Sequence, residues 1–574
     1  MRIILLLLSL LLCVSFAQAQ TLRLQVKGLD GSLEQNVDGR LSTIEANDIV
    51  DTAQFRRYVS DEIRKGLRAL GYYFPQISFS LNESAFRPAL VATVDAGLPI
   101  LIERVSVNIT GQGSKDKDFV ELLRKNTPVV GDILNHGVYD AFKNSLLSLA
   151  MRKGYFDSEM TRNQLLVSEK LHEAFWNIDF NTGDRYRLGN VTFREGPIRE
   201  SFLRNIIPFK QGDYYTSEQL SLFSRRLSST NWFNSVTVLP NINRVGADKE
   251  IPIYVVTTPK KQNLIDVGLG YSTDVGVRGK LGWTKPWVNS RGQSFQSNLS
   301  LSRVEQTITG SYKIPLEKSP LEDYYTVQGG FKHQDNNDTK ADSYTFGVVR
   351  YWDSFDGWQK AIGLNTSYDN FTQANSSYNT FLIYPSFNLY RLRQRGGVLP
   401  MWGDSQRYAL EVANDKLGSD ISFWRFTTQQ SWLRSLYDTH RFIARANFGY
   451  IKVNEFDRVP PSFRYFAGGD RSIRGYSYQS ISPKDHDGKL LGASRLLVGS
   501  LEYQYNLTGN WWSAVFVDSG EAVDSFRDND FHTGAGVGLR WVTPIGPVKL
   551  DIAAPVDNKG SSSVHFYIGI GAEL

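Results

Sequence analysis

From Leu264 onward the chain reads as alternation. Ile265, Val267, Leu269 and Tyr271 alternate with Asp266, Gly268, Gly270 and Ser272, and Phe442, Ala444, Ala446, Phe448 and Tyr450 repeat the pattern. At the end, Val564, Phe566, Ile568, Ile570, Ala572 and Leu574 oppose His565, Tyr567, Gly569, Gly571 and Glu573. A period of two residues predicts strands. One apolar face opposite a polar or small face fits a barrel with lipid outside and water inside. A soluble sandwich would alternate as well, with fewer Tyr and Trp on its apolar faces and more uniform connections. Near the C-terminus the expected connections alternate in size: Asn506–Asn510 and Thr543–Pro547 are short, Ser519–His532 and Pro555–Ser563 long. Short turns on one side and long loops on the other is the outer-membrane arrangement. The same parity makes the connection of about 40 residues between Phe442–Val453 and Leu496–Leu507 external. Sixteen strands of roughly ten residues fit the 311 positions after 263, and counting alone also allows about 14 or 18.

Before residue 263 the pattern changes to β-α-α-β-β, three times. Short alternating strands open each repeat, at Leu22–Val26, Val105–Ile109 and Val191–Phe193. Helical spacing follows, as in Phe119–Lys125 and in Tyr139, Phe142, Leu146, Leu149 and Ala150 of Tyr139–Lys153. Each helical stretch closes on an aromatic signature: Gly71-Tyr72-Tyr73, Gly154-Tyr155-Phe156 and Asn231-Trp232-Phe233, spaced 83 and 77 positions apart. Paired strands then end the repeat, as in Ile77–Leu81 with Leu90–Val94 and Val236–Leu239 with Ile253–Val256.

Composition sharpens the division. Residues 264–574 hold 47 Phe, Tyr and Trp in 311 positions against 26 in the first 263, which places the main boundary near 263. The 64 basic and 59 acidic residues are interspersed and leave a net charge of +5, so no nucleic-acid footprint follows. Met1–Ala19 has a positive start at Arg2, an apolar run over Ile3–Val14 and a small-x-small site at Ala17-Gln18-Ala19, the marks of a cleaved export signal. The single cysteine, Cys13, lies in that run, so no disulfide or thiol chemistry is expected of the mature chain. No later stretch reaches the roughly 18 consecutive apolar residues of a membrane helix, which for an exported membrane protein leaves a closed barrel.

One loop stands out. Gly468-Gly469-Asp470-Arg471-Ser472-Ile473-Arg474-Gly475-Tyr476 brackets two arginines with three glycines, residues that permit tightly folded backbone. Glu502 alternates with Leu501 and Tyr503 and so points away from the lipid face. Both parities around Asp518 are apolar, and only its charge assigns it to the lumen, since a carboxylate facing hydrocarbon is costly. A planar guanidinium can bond two such carboxylates at once.

The N-terminal repeats resemble POTRA domains, and Ile473-Arg474-Gly475-Tyr476 resembles the signature of the superfamily of barrel assembly and two-partner secretion transporters, which joins POTRA domains to a barrel. The resemblance implies α+β periplasmic POTRA repeats followed by an all-β 16-stranded antiparallel transmembrane barrel. The divisions are then 1–19 signal, 20–98, 99–184 and 185–262 POTRA repeats, and 263–574 barrel. It implies that the loop folds into the lumen and that Arg474 meets Glu502 and Asp518. Three repeats point to the translocation and assembly module branch. That branch implies a TamB-like inner-membrane or periplasmic partner reached through the POTRA domains, with client outer-membrane proteins as cargo.

A barrel closes by pairing its first and last strands, here Leu264–Ser272 and Val564–Leu574. Gly268, Gly270, Gly569 and Gly571 fall on them, and glycine weakens strands. Either this seam opens to template a client strand, or the glycines only accommodate packing in the lumen. An opened seam also suits supply of lipid to the outer membrane. The sequence carries no H-E-x-x-H, G-x-S-x-G or P-loop, and Asp485-His486-Asp487-Gly488 lacks the distal glutamate of a calcium loop. No enzyme activity, cofactor or metal is expected.

Overall fold

A computed structural model describes residues 22–82, 88–272, 276–353, 357–397, 399–527, 530–544, 546–557 and 564–570. The expected export signal, Gly571 and Leu574 lie outside the described residues.

The first module runs β1 (Arg23–Lys27), α1 (Gly31–Leu41), α2 (Ala53–Ala69), β2 (Gln76–Asn82) and β3 (Ala89–Asp95). Its sheet has the order β1-β3-β2, with β1 parallel and β2 antiparallel to the central strand. Phe55, Val59, Ile63 and Leu67 repeat every fourth residue on α2, so one face of the helix buries against Leu90, Ala92 and Val94 of β3. The second module repeats the plan with β4 (Leu101–Thr110), α3 (Lys117–Asn126), α4 (His136–Lys153), β5 (Glu159–Ser168) and β6 (Glu173–Asn181). The third has β7 (Arg187–Phe193), α5 (Glu200–Arg204), α6 (Ser217–Ser229), β8 (Phe233–Pro240) and β9 (Glu250–Pro259).

The aromatic signature is a helix stop. Gly71 and Gly154 take φ of +91° and +87°, the left-handed conformation that ends a helix, and the next residue's amide reaches back, Tyr72 to Leu67 O and Tyr155 to Ala150 O. The ring that follows is thereby turned onto its own module, and Tyr155 meets Phe119 edge-on at 5.7 Å. Asn231, at φ +62°, substitutes for glycine in the third module.

The chain divides into two compact units. One comprises 1–192, 209–221 and 239–254; the other comprises 193–208, 222–238 and 255–574, so the third module contributes to both. Within the second unit, Arg226 pairs with Glu322 at 2.7 Å and the Trp232 indole donates to the Gly292 carbonyl at 2.9 Å.

The rest of the second unit is one antiparallel sheet of sixteen strands in sequential order. These are β10 (Leu264–Ser272), β11 (Gly276–Lys285), β12 (Ser294–Ser302), β13 (Glu305–Pro315), β14 (Tyr324–Asn336), β15 (Thr339–Asp353), β16 (Gln359–Gln373) and β17 (Ser376–Arg395). They continue as β18 (Trp402–Ala413), β19 (Phe423–Leu436), β20 (His440–Val453), β21 (Arg495–Thr508), β22 (Trp511–Val523), β23 (His532–Thr543), β24 (Gly546–Pro555) and β25 (His565–Ile570). The sheet curls into a nearly closed barrel, and Cα atoms of β10 and β25 approach within 8 Å. Among the described residues no hydrogen-bonded register joins these two strands. No described helix is long and apolar enough to cross a membrane.

Several expected connections are shorter than the pattern suggested. β22 continues through Ser519 to Val523, tied to β23 by the hydroxyls of Ser519 and Thr533 at 2.8 Å, so the loop begins at 524 rather than 519. An irregular register between Asn506 and Thr508 lets β21 run on to a two-residue turn at 509–510.

Candidate functional site

The connection from β20 to β21 fills the external half of the lumen. Val459, Phe463, Tyr465, Ile473 and Tyr476 form an apolar core with inward residues of the wall such as Leu382, Phe423 and Val498. Polar ties reinforce it: Thr380 donates to the Arg458 carbonyl at 2.7 Å and Gln373 to that of Leu490 at 2.6 Å. The tip is a closed turn in which the Gly469 amide reaches the Tyr476 carbonyl at 3.1 Å. Gly468, Gly469 and Gly475 have φ of +100°, +106° and +98°, open to glycine at little cost.

The structure brings together Arg474, Glu502 and Asp518. The Arg474 guanidinium donates through Nε and Nη2 to both oxygens of Asp518, at 2.7 and 3.0 Å, and through Nη1 to Glu502 Oε2 at 2.9 Å. Its backbone amide also donates to Asp518, at 3.1 Å, so one carboxylate fixes both side chain and main chain. The guanidinium carbon lies over the Phe516 ring, 3.3 Å from its centroid. All of these groups are buried.

Three further residues complete the arrangement. Asp551 accepts from Arg474 Nη1 at 3.2 Å, and Arg540 bridges Asp551 to Glu502, the latter at 2.7 Å. On the last strand, the Tyr567 hydroxyl accepts from the Gly475 amide at 3.0 Å and donates to the Tyr476 carbonyl at 3.1 Å. Two guanidiniums thus face three carboxylates, and every strand from β21 to β25 contributes a side chain to the loop tip or its partners, β23 doing so with Arg540, which follows a row of glycines.

That glycine row was not singled out in the sequence, although Gly534-Ala535-Gly536-Val537-Gly538 displays it. Register sets Gly534 beside Asp518, Gly536 beside Phe516 and Gly538 beside Asp551. A methyl group on Gly534 would collide with the Arg474 carbonyl oxygen, and one on Gly538 with Asp551 Oδ1. The wall is recessed where the loop docks.

Below the tip, Asp470 and Arg471 border a lumenal cavity of about 600 Å³ shared with Arg407, Arg445 and Lys549. The seam glycines sit in different surroundings. A Cβ on Gly270 or Gly569 would meet nothing within 4 Å, and one on Gly268 only Lys280 Cβ at 3.7 Å. Close packing therefore does not require glycine at these three positions. Ile265, Val267 and Leu269 are 70%, 76% and 85% exposed, and Asp266, Gly268 and Gly270 on the opposite face are exposed too. Residues 265–270 of β10 are thus uncovered on both faces. Among the described residues no group of His, Cys, Asp and Glu could hold a metal ion.

Residues 260–574, more than half of the chain, match the Omp85 superfamily domain. The chain belongs to the Omp85 superfamily. Residues 23–96 match the first POTRA domain of TamA, and 186–260 match the surface antigen variable number repeat, a POTRA family. Among curated proteins, outer membrane protein assembly factor BamA of Nitratidesulfovibrio vulgaris is 22% identical over 443 residues, covering 70% of this chain and 51% of the relative. BamA of Neorickettsia risticii is 22% identical over 479 residues, covering 77% and 62%. The chain thus spans between half and two thirds of the length of these relatives. The crystal structure of Haemophilus ducreyi BamA lacking POTRA domains 1–3 shares the fold with a TM-score of 0.56, 16% identity and coverage of 96% of this chain and 99% of that one.

This Omp85 protein is an outer-membrane β-barrel with periplasmic POTRA domains. The POTRA-linked entry into β10 is periplasmic, so the turns after β15, β17, β19 and β21 are periplasmic and the connection carrying Arg474 is extracellular at its base.

Proposed function

We propose that this Omp85 protein assists insertion of β-barrel proteins, autotransporters among them, as the TamA-type outer-membrane subunit of a translocation and assembly module. The observation that carries the proposal is the seam: residues 265–270 of β10 are uncovered on both faces, and the described residues give the strand no register with β25. An unpaired strand edge is a template on which an incoming strand can add main-chain hydrogen bonds. The glycines at 268, 270 and 569 lower the cost of bending there. Arg474, pinned to β21, β22 and β24, and Tyr567, tying β25 to the loop tip, hold one side of the seam while β10 moves. The TamA-type match of the first module and the three POTRA repeats support the branch. The edge strands β1 and β2 offer docking positions for a TamB-like partner.

Depleting the protein and following, side by side, insertion of one autotransporter and delivery of lipid to the outer membrane tests this reading. Early loss of insertion supports it. Early loss of lipid with insertion intact would replace it with a role in lipid supply.

A further inference from the structure

A cluster on the outer, lipid-facing side of the barrel is used by neither the loop nor the seam. Along β17 the outward row Phe381, Ile383, Phe387 and Leu389 continues toward the periplasmic turn as Arg391, Arg393 and Arg395. Register places Arg395 opposite Trp402, and Trp402 opposite Arg434. The guanidiniums of Arg395, Arg434 and Arg393 lie 4.9, 4.7 and 5.5 Å from the centre of the Trp402 ring, and that of Arg391 lies 4.5 Å from Trp358. Among the described residues one carboxylate pairs with them. Asp404, buried beneath, is 2.8 Å from Arg393, 3.9 Å from Arg434 and 4.0 Å from Arg391. The cluster keeps a surplus of three positive charges, and the side chains of Arg393 and Arg434 remain 46% and 48% exposed.

Arginines this dense are costly against hydrocarbon and, with tryptophans, belong at the headgroup level. Arg434 also ends a groove of about 570 Å³ that runs up the same face. Small Ala444, opposite Trp432 and Leu501, leaves the dent, and Phe442, Val515 and Val517 line the rest. Charge at the periplasmic level and an apolar trough directly above it match the two ends of one amphiphile.

We propose that this is a binding site for an anionic phospholipid of the periplasmic leaflet, with the headgroup phosphate on Arg393, Arg395 and Arg434 and an acyl chain in the groove over Ala444. Paired guanidinium and phosphate supply orientation, and the trough distinguishes a lipid from a free phosphate ion. The site stands independently of the insertion role.

The test is native mass spectrometry of the full chain in detergent micelles, with dioleoyl phosphatidylglycerol, dioleoyl phosphatidylcholine and inorganic phosphate as probes. Phosphatidylglycerol is expected to be retained in preference to phosphatidylcholine, with retention falling about fivefold for each arginine removed in R393Q/R395Q. A444W is expected to weaken dioleoyl but not dihexanoyl phosphatidylglycerol. Heat-modifiable mobility on gels shows that each variant is folded. Should the double variant not fold, Arg395→Gln alone serves, because the described residues give Arg395 no ion pair to lose. Equal retention of the two lipids, unchanged retention in a folded arginine variant, or full competition by millimolar phosphate would each overturn the assignment.

Discussion

The hydroxyl of Tyr567 lies 3.0 Å from the Gly475 amide and 3.1 Å from the Tyr476 carbonyl oxygen, so the last strand of the barrel is bonded to the tip of its longest loop. The described part of β25 borders the seam, and its attachment to the loop complements its ladder with β24. Tyr567→Phe should therefore release the Gly475 amide while leaving the ring in place. Hydrogen exchange should rise at Gly475 and along β25, by a factor that corresponds to the loss of about 0.5–1.5 kcal/mol per hydrogen bond. Exchange in the β10–β11 pair should not change.

Removing the Arg474 guanidinium leaves Glu502, Asp518 and Asp551 with Arg540 as the remaining cation bonded to Glu502 and Asp551. For a buried group of this kind the cost is about 3–5 kcal/mol. Arg474→Ala should lower the unfolding midpoint of the barrel accordingly, and Arg474→Lys should recover only part of it, because an ammonium lacks the planar fork that spans both Asp518 oxygens. Denaturant titration of the refolded barrel measures both.

Gly534→Ala should mimic Arg474→Ala although it removes no charged group. The added methyl meets the Arg474 carbonyl oxygen, which must move and carry the guanidinium with it. Combined, the two substitutions should cost less than their sum, since each undoes the same docking. Gly270→Ala is the contrast: it has open space, and replacing glycine in a strand gains about 0.5–1 kcal/mol. Loop accessibility to a protease, compared across the three variants, checks the pattern.

These positions also mark how far sequence reasoning reaches. The glycine-aromatic helix stop at Gly71-Tyr72 and Gly154-Tyr155 is local chemistry, and local chemistry is readable from neighbouring residues. Alternation fixed the faces of Glu502, and charge fixed that of Asp518. Asp551, Arg540 and Tyr567 were missed because each joins the site through strand register, which brings positions dozens of residues apart onto one patch of wall. The row of glycines at 534, 536 and 538 was a visible signal, since three side-chain-free positions on one face of a strand leave room for another backbone.

In the POTRA region, His136 at the start of α4 shares a 2.8 Å hydrogen bond with the Tyr73 hydroxyl of the preceding module. Burial, with the nearby Arg68 cation, holds its pKa below the usual 6.5. The folded state thus binds this proton less readily than the unfolded one. Stability from this group is complete above about pH 6.5 and declines as pH falls toward the depressed value. Thermal unfolding of the first two modules should show that decline between neutral and mildly acidic pH, and His136→Phe should flatten it.

The most direct measurement of the account is a cysteine scan that joins β10 positions 265–269 to β25 positions 566–569 by disulfide, followed by client insertion in reconstituted vesicles. The opened-seam account predicts that a fully crosslinked chain loses insertion and that a reductant restores it. Undiminished insertion by a chain whose crosslink is complete would contradict it.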